Sequence, residues 1–118
     1  MLAWDGTVPA FVWEMLRDGK LPHLAKLIEG GAFADDVIPV FPSKTAPGFA
    51  SLITGAPPRT TGITRNRVPR APREQYTILD SLGGFSAAPL RAEPLSSAAR
   101  RAGKQAGVSH IPTFAGVP

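Results

Sequence analysis

Two short segments of the sequence combine residue types that could perform chemistry on an anionic ligand. The first is Asp5-Gly6, which directly follows Leu2-Ala3-Trp4, and the second is Phe41-Pro42-Ser43-Lys44-Thr45. An aspartate at the carboxyl end of a strand can present its carboxylate to a metal ion. A hydroxyl at the start of a helix lies beside free N–H groups that favour an anion such as phosphate, and it could act there as a nucleophile.

Both segments also have an ordinary structural explanation. Asp-Gly is among the commonest turn pairs, so Asp5 could serve only in a turn. Thr45 is expected at the N-cap of a helix with Pro47 in the first turn, and capping is the usual role of such a threonine. The local sequence leaves both alternatives open.

The apolar spacing predicts the elements that would position these residues. Four helices are predicted: from Pro9, capped by Thr7, up to Asp18-Gly19; from Pro22 to Gly30-Gly31; from Pro47 to Gly55; and from Pro94 to Lys104. Strands are predicted at residues 2–4, 34–40 and 105–111, and a long loop at residues 57–73. The alternation predicts an α/β domain with a mostly parallel sheet. Because three strands do not complete such a sheet, we expect a piece of a larger domain, incomplete at both ends.

The composition narrows the class of protein. The 118 residues allow one domain, and 43% hydrophobic residues suffice for a core. The 12 glycines and 13 prolines indicate many turns and exclude a helical bundle. The absence of cysteine excludes disulfides, thiolate zinc sites and a cysteine nucleophile. No apolar run approaches the roughly 18 residues of a membrane span, and the first residues lack the pattern of a signal peptide.

Several motifs follow one another in the order of a known family. After Asp5-Gly6 come Leu21-Pro22-His23-Leu24 with Leu27, Gly31-Ala32, Pro39-Val40-Phe41-Pro42-Ser43-Lys44-Thr45, Leu52-Ile53-Thr54-Gly55, Gly62-Ile63 and Asn66. Over residues 2–66 the chain resembles the N-terminal part of the type I phosphodiesterase and nucleotide pyrophosphatase family, within the alkaline phosphatase superfamily. Residues 95–111 resemble the family's next helix and strand less specifically.

The resemblance implies a fold, a reaction and a site. The fold would be an alkaline-phosphatase-like three-layer αβα sandwich with a mostly parallel sheet, of which residues 1–118 are the N-terminal portion. The reaction would be zinc-dependent hydrolysis of a phosphodiester or pyrophosphate in a small-molecule phosphate ester. Thr45 would be the nucleophile, forming a phosphothreonine and also binding zinc, and Asp5 would be a zinc ligand. The resemblance also implies two zinc ions and an extracytoplasmic, periplasmic or secreted location.

The chain departs from the family pattern in ways that affect these expectations. Ala46-Pro47-Gly48 stands where many members have Phe-Pro-Asn, and Thr61 stands where members often have histidine. The family's Asp-His-Gly segment, which supplies further zinc ligands, is absent. His23 lies at a helix position, and His110 lies at the end of a predicted strand without a recognisable motif. Because catalytic zinc usually takes three protein ligands, we expect this chain by itself to be inactive.

The basic residues allow further interpretations. Five arginines, within a net charge of +4, lie close together in the predicted loop: Arg59, Arg65, Arg67, Arg70 and Arg73. They could form a solvated loop, a loop that attracts phosphate esters, or a nucleic-acid surface, although no nucleic-acid motif is present. Lys44 is a candidate for steering an anion toward Thr45. The alternative functions are a phosphomonoesterase or phosphonate hydrolase of the same superfamily, or a non-enzymatic basic binding module.

Overall fold

The computed structural model describes residues 1, 3–34, 36–70 and 81–111, and it divides the chain into two compact units. The first unit is residues 1–38 and the second is residues 39–118. Each unit has its own helices.

The first unit consists of two helices that begin and end where the sequence predicts. Helix α1 is Pro9–Arg17 and helix α2 is Pro22–Gly30, and each has a proline in its first turn, where the missing N–H group costs nothing. The predicted cap of α1 is wrong, because Val8 and not Thr7 is its N-cap residue. The Thr7 hydroxyl donates instead to the carbonyl oxygen of Trp4, at 3.2 Å.

The two helices of the first unit bury none of their residues. The ring of Trp13 on α1 contacts the ring of Phe33 edge to face, with 5.1 Å between the ring centroids. An open, mostly apolar groove of about 620 Å³ lies beside this pair, lined by both helices and by residues 32–37 as far as these are described. The helices therefore present apolar side chains that no other described residue of their own unit covers.

The second unit contains three helices and a two-stranded sheet among its described residues. Its elements are α3 (Thr45–Thr54), α4 (Pro58–Thr61), β1 (Arg67–Pro69), β2 (Ser81–Gly83) and α5 (Leu95–Arg101). The strands are antiparallel, with Val68 opposite Leu82. Helix α3 packs against both α4 and α5, so it is the central element of this unit.

A small apolar core lies under α3. Four fully or nearly fully buried side chains form it, with Leu90 packed against them: Ala46, Ala50, Ile63 and Val68. The buried Thr61 hydroxyl is satisfied locally, since it accepts from the Ile63 N–H group at 3.2 Å and donates to the Pro58 carbonyl oxygen at 3.3 Å. This core fixes the segment that follows α4 against the first turns of α3.

The structure corrects several predictions made from the sequence. Helix α3 begins at Thr45 rather than near Pro47, and α5 is shorter than predicted. The predicted loop at 57–73 contains α4 and β1, while residues 71–73 lie outside the described residues. The described residues of the segments 2–4, 34–40 and 105–111 form no strand, so these predictions are wrong there. A strand requires a neighbour for its N–H and C=O groups, and no described segment pairs with these.

Candidate functional site

Thr45 is the first residue of α3, and its side chain is not used to cap the helix. The N-cap residue is Lys44, whose backbone is extended, and no side chain of the N-cap position bonds to the helix. Thr45 therefore lies one residue further into the helix than the sequence predicts, and its role as an N-cap is wrong. Within the described residues the half-buried Thr45 hydroxyl makes no hydrogen bond. The usual structural reason for a threonine at this place is thus missing.

The N–H groups of the first turn of α3 have different partners. The Gly48 N–H donates to the Lys44 carbonyl oxygen at 2.9 Å, and Pro47 has no N–H to offer. The Ala46 N–H donates to Oδ1 of Asn66 at 3.2 Å. Among the described residues, the Thr45 N–H is the one N–H group of this turn without a hydrogen-bond partner. One free donor, at the positive end of the helix dipole, thus lies on the same residue as an unbonded hydroxyl.

Asn66 supplies the cap that Thr45 does not. It lies 20 residues beyond Ala46 in sequence, directly before β1, and its backbone carbonyl accepts from the Gly84 N–H at 2.8 Å. The Asn66 side chain uses only its Oδ1, which accepts from the Ala46 N–H. Its amide NH₂ group has no partner in the described part of the chain. From the sequence, Asn66 is predicted only as part of a motif. The contact could not be inferred from local pattern, since it joins residues far apart in the chain.

The basic residues near this helix end are exposed. Lys44 directly precedes Thr45, and Arg65 directly precedes Asn66. Neither makes an ion pair with any residue that the structure describes. Arg59 is exposed on α4, and the side chain of Arg67 donates to the Ser81 hydroxyl at 3.3 Å. Arg73 lies outside the described residues. Positive charge therefore lies in the segments beside the start of α3, where it would favour the approach of an anion.

Asp5 lies in a turn of the first unit. Its Oδ1 accepts from the Gly6 N–H at 3.1 Å, and Gly6 has the positive φ of 70° that the turn requires. The carboxylate is exposed, and its other oxygen makes no hydrogen bond to any described residue. The geometry thus accounts for Asp5 as a turn residue and leaves one oxygen open to a ligand.

The described residues do not by themselves make a metal centre. No three histidine, aspartate or glutamate side chains come together in residues 1, 3–34, 36–70 and 81–111. His23 is exposed on α2. His110 is exposed, and its Nδ1 lies 2.6 Å from the Ser109 hydroxyl oxygen. The donor set in this part of the chain is too small to hold two zinc ions, so any such site needs ligands from elsewhere.

The family of this chain is defined by comparison with known proteins. The type I phosphodiesterase / nucleotide pyrophosphatase family matches residues 5–116. The chain belongs to this family, and the resemblance inferred from its motifs is confirmed. Membership implies an α/β fold of the alkaline phosphatase type, which agrees with the predicted fold class.

Curated relatives carry the same family name. Ectonucleotide pyrophosphatase/phosphodiesterase family member 1 of Homo sapiens is 30% identical over 94 residues, which are 80% of this chain and 10% of the human protein. An ectonucleotide pyrophosphatase/phosphodiesterase of Caenorhabditis elegans is 40% identical over 68 residues, 58% of this chain and 9% of the relative. The chain thus spans about a tenth of the length of these relatives. No solved structure matches it.

Among the described residues, none of the helices has the length and apolar character needed to cross a bilayer.

Proposed function

We propose that this chain is the N-terminal portion of one alkaline-phosphatase-like catalytic domain, and that the whole protein hydrolyses phosphodiester or pyrophosphate bonds. The carrying observation is the start of α3, where the unbonded Thr45 hydroxyl lies beside its own free N–H group. Membership in the type I phosphodiesterase / nucleotide pyrophosphatase family and the names of the relatives support this reaction class. By itself the 118-residue chain would be inactive.

In the proposed mechanism Thr45 is the nucleophile. A phosphate group of the substrate binds at the start of α3, where the Thr45 N–H donates to one of its oxygens. The Thr45 oxygen then forms a bond to phosphorus while the bond from phosphorus to the leaving oxygen breaks on the opposite side, and the hydroxyl proton passes through water to the leaving oxygen. The product is a phosphothreonine, which water hydrolyses in a second displacement to restore the hydroxyl.

Asn66 would hold the phosphoryl group in this mechanism. Its Oδ1 is engaged by the Ala46 N–H, which fixes the orientation of the amide, so its NH₂ group is available to a second phosphoryl oxygen. The Thr45 N–H is fixed by the helix, and the Asn66 amide is held by its hydrogen bond from the Ala46 N–H. Neither donor needs to reorganise when charge develops on the phosphoryl oxygens. Lys44 would assist only the approach of the anion, because its side chain is exposed and screened by salt.

Zinc would be bound by the complete protein rather than by this portion. The proposal assigns Asp5 as a ligand that this chain contributes, with the Thr45 oxygen as a second contact, and the remaining ligands come from the rest of the protein. When bound, two zinc ions would neutralise phosphate charge and favour the ionised forms of the attacking oxygens. The open carboxylate oxygen of Asp5 supports this assignment.

The uncovered helices support the proposed domain organisation. Helices α1 and α2 bury no residue, and an exposed apolar surface of this kind indicates missing partners. In a three-layer αβα sandwich such helices cover a face of a mostly parallel sheet. An extracytoplasmic location is proposed from the family alone.

The decisive experiment tests Thr45 in the longer protein that contains this chain. The protein is assayed on bis-p-nitrophenyl phosphate with and without zinc, together with Thr45→Ala and Thr45→Ser. We expect zinc-dependent turnover that falls by at least about 10³-fold in Thr45→Ala and is partly retained in Thr45→Ser. Acid quenching during turnover should yield a phosphopeptide that contains Thr45. Thr60→Ala is the matched control, since Thr60 is an exposed threonine on α4.

Three results would overturn the proposal. Unchanged turnover in Thr45→Ala would remove Thr45 as the nucleophile. Turnover restricted to monoesters or phosphonates would place the protein with the other hydrolases of the superfamily. If no phosphate ester is hydrolysed, the exposed arginines become the leading place to look for function, and binding of nucleic acid with a steep salt dependence would identify a basic binding module.

A further inference from the structure

Gly84 is buried directly behind the Asn66–Ala46 contact. It follows strand β2, and its N–H donates to the Asn66 carbonyl oxygen at 2.8 Å. A Cβ atom placed on Gly84 would lie 3.1 Å from the Ala46 Cβ and 3.2 Å from the Asn66 carbonyl carbon, and it would collide with the Arg65 carbonyl oxygen. Backbone on one side and a helix side chain on the other leave no space for it.

Glycine is required here by space and not by backbone conformation. Among the described residues the glycines with positive φ are Gly6, Gly19, Gly55, Gly62 and Gly103, so Gly84 does not adopt the left-handed conformation. Its neighbour Gly83 is also part of the β2 end, but a Cβ there would meet no atom within 4 Å. Gly83 is exposed and has room for a methyl group, whereas Gly84 is buried against the backbone that carries Asn66.

We propose that Gly84 is a positioning residue for the proposed phosphoryl transfer, setting the distance between Asn66 and the start of α3. The inference rests on the proposed function of Thr45 and Asn66. With only hydrogen at position 84, the chain at Asn66 lies close enough to α3 for Oδ1 to reach the Ala46 N–H. A methyl group at position 84 pushes the Arg65–Asn66 backbone away and turns the Asn66 amide from the phosphoryl site.

The size of the displacement decides the effect on the reaction. An atom in hard contact with backbone must be relieved by a shift of several tenths of an ångström to about 1 Å, because backbone cannot rotate aside as a flexible side chain can. A misplacement of about 1 Å at a catalytic group can reduce a rate by about 10²-fold. The effect belongs to the transition state, where charge on the phosphoryl oxygens is greatest, so kcat should fall more than KM rises.

The test is a double-mutant cycle in the complete, zinc-loaded protein with bis-p-nitrophenyl phosphate. Gly84→Ala is combined with Asn66→Ala, and Gly83→Ala is the matched control. We expect Gly84→Ala and Asn66→Ala each to lower kcat by about 10- to 100-fold, and Gly83→Ala to change it by less than twofold. Because Gly84 acts through Asn66, the double variant should be no slower than Asn66→Ala within about twofold. Multiplying losses, or a Gly84→Ala protein that equals Gly83→Ala, would overturn the inference.

A stability measurement separates positioning from simple destabilisation. Leu82→Ala weakens the β1–β2 pair without placing an atom against Asn66, and it should lower Tm while kcat of the folded enzyme is retained. If Gly84→Ala does not fold, Ala46→Val imposes the contact from the other side, and its loss of kcat must likewise vanish in the Asn66→Ala background. Full activity of Thr45→Ala would refute the proposed function. If Thr45→Ala is inactive but the losses of kcat in Gly84→Ala and Asn66→Ala multiply in the double variant, only the positioning role of Gly84 is refuted.

Discussion

The two units of this chain contain helices of similar length but differ in what those helices pack against. Helices α1 and α2 in residues 1–38 bury no residue, while α3 in residues 39–118 buries four of its ten: Ala46, Ala50, Ile53 and Pro47. The second unit closes a small core around α3, and the first presents an apolar groove. A candidate nucleophile needs a fixed environment, and Thr45 lies on the helix that has one.

The two units also differ in the contacts that position the two candidate site residues, Thr45 and Asp5. Thr45 is set by α3 and by the long-range bond from Asn66, so its surroundings are determined within its own unit. Asp5 is held only by a turn bond to the next residue. The surroundings of the proposed nucleophile are therefore fixed by long-range contacts in this chain, whereas those of Asp5 are fixed only by its local turn.

The largest effect expected on stability comes from the core of the second unit. Ile63 is fully buried against α3, so Ile63→Ala should lower the free energy of unfolding by about 2–5 kcal/mol. The measurement is the urea midpoint of the 118-residue chain at constant m value. Leu27→Ala on α2 removes a side chain that is 71% exposed and should cost less than about 0.5 kcal/mol. Equal losses for the two variants would contradict the difference between the units.

The same pair of variants sharpens the proposal for the longer protein. If the rest of the domain covers α1 and α2, Leu27 becomes a core residue there, and Leu27→Ala should then cost about 2 kcal/mol or more. The cost of Ile63→Ala should change little, because its contacts are already complete in this chain.

Helices could be predicted from this sequence because their hydrogen bonds are local. The apolar spacing of Phe11, Val12, Met15 and Leu16 and the prolines at the helix starts gave α1 and α2 almost to the residue. Strands could not be predicted equally well. The three residues of β1 lie in a Pro- and Arg-rich segment without alternation, and they form a strand because β2 lies beside them.

The sequence predicted Thr45 and Asp5 as candidate site residues, but Asn66 entered only as part of a motif. Local rules predicted Thr45 as an N-cap, and the structure gives the cap to Asn66. The role of Gly84 depends on the approach of Arg65, Asn66 and Ala46, which come from different elements. Single-sequence patterns carry no information on such distances, since they describe neighbours along one element.

A smaller effect is expected in the first unit, from its aromatic pair. Phe33→Ala removes the edge-to-face contact with Trp13 and should cost about 0.5–1.5 kcal/mol beyond the lost buried area. Urea unfolding followed by Trp13 fluorescence in a Trp4→Phe background reports on this contact. Phe33→Leu keeps the apolar bulk and should recover only part of the loss. Full recovery in Phe33→Leu would show that bulk alone stabilises the unit.

The smallest effect is expected from an exposed ion pair between Glu93, which precedes α5, and Arg101, the last residue of α5. Arg101 donates to both carboxylate oxygens of Glu93, at 3.2 and 2.9 Å, and these hydrogen bonds lower the pKa of Glu93 below its ordinary value. A carboxyl whose pKa is lower in the folded than in the unfolded state contributes stability above the ordinary pKa. That contribution disappears as the pH falls through the folded value. Glu93→Gln should therefore lower Tm slightly at pH 7, and the difference should disappear once the pH has fallen below the folded pKa of Glu93. It should also disappear in high salt, because both side chains are exposed. Glu29→Gln, on α2 of the other unit and without an ion pair among the described residues, is the matched control for the loss of an exposed carboxylate. A Glu93→Gln difference that stays constant as the pH falls through the acidic range would mean that the pair acts through packing rather than charge.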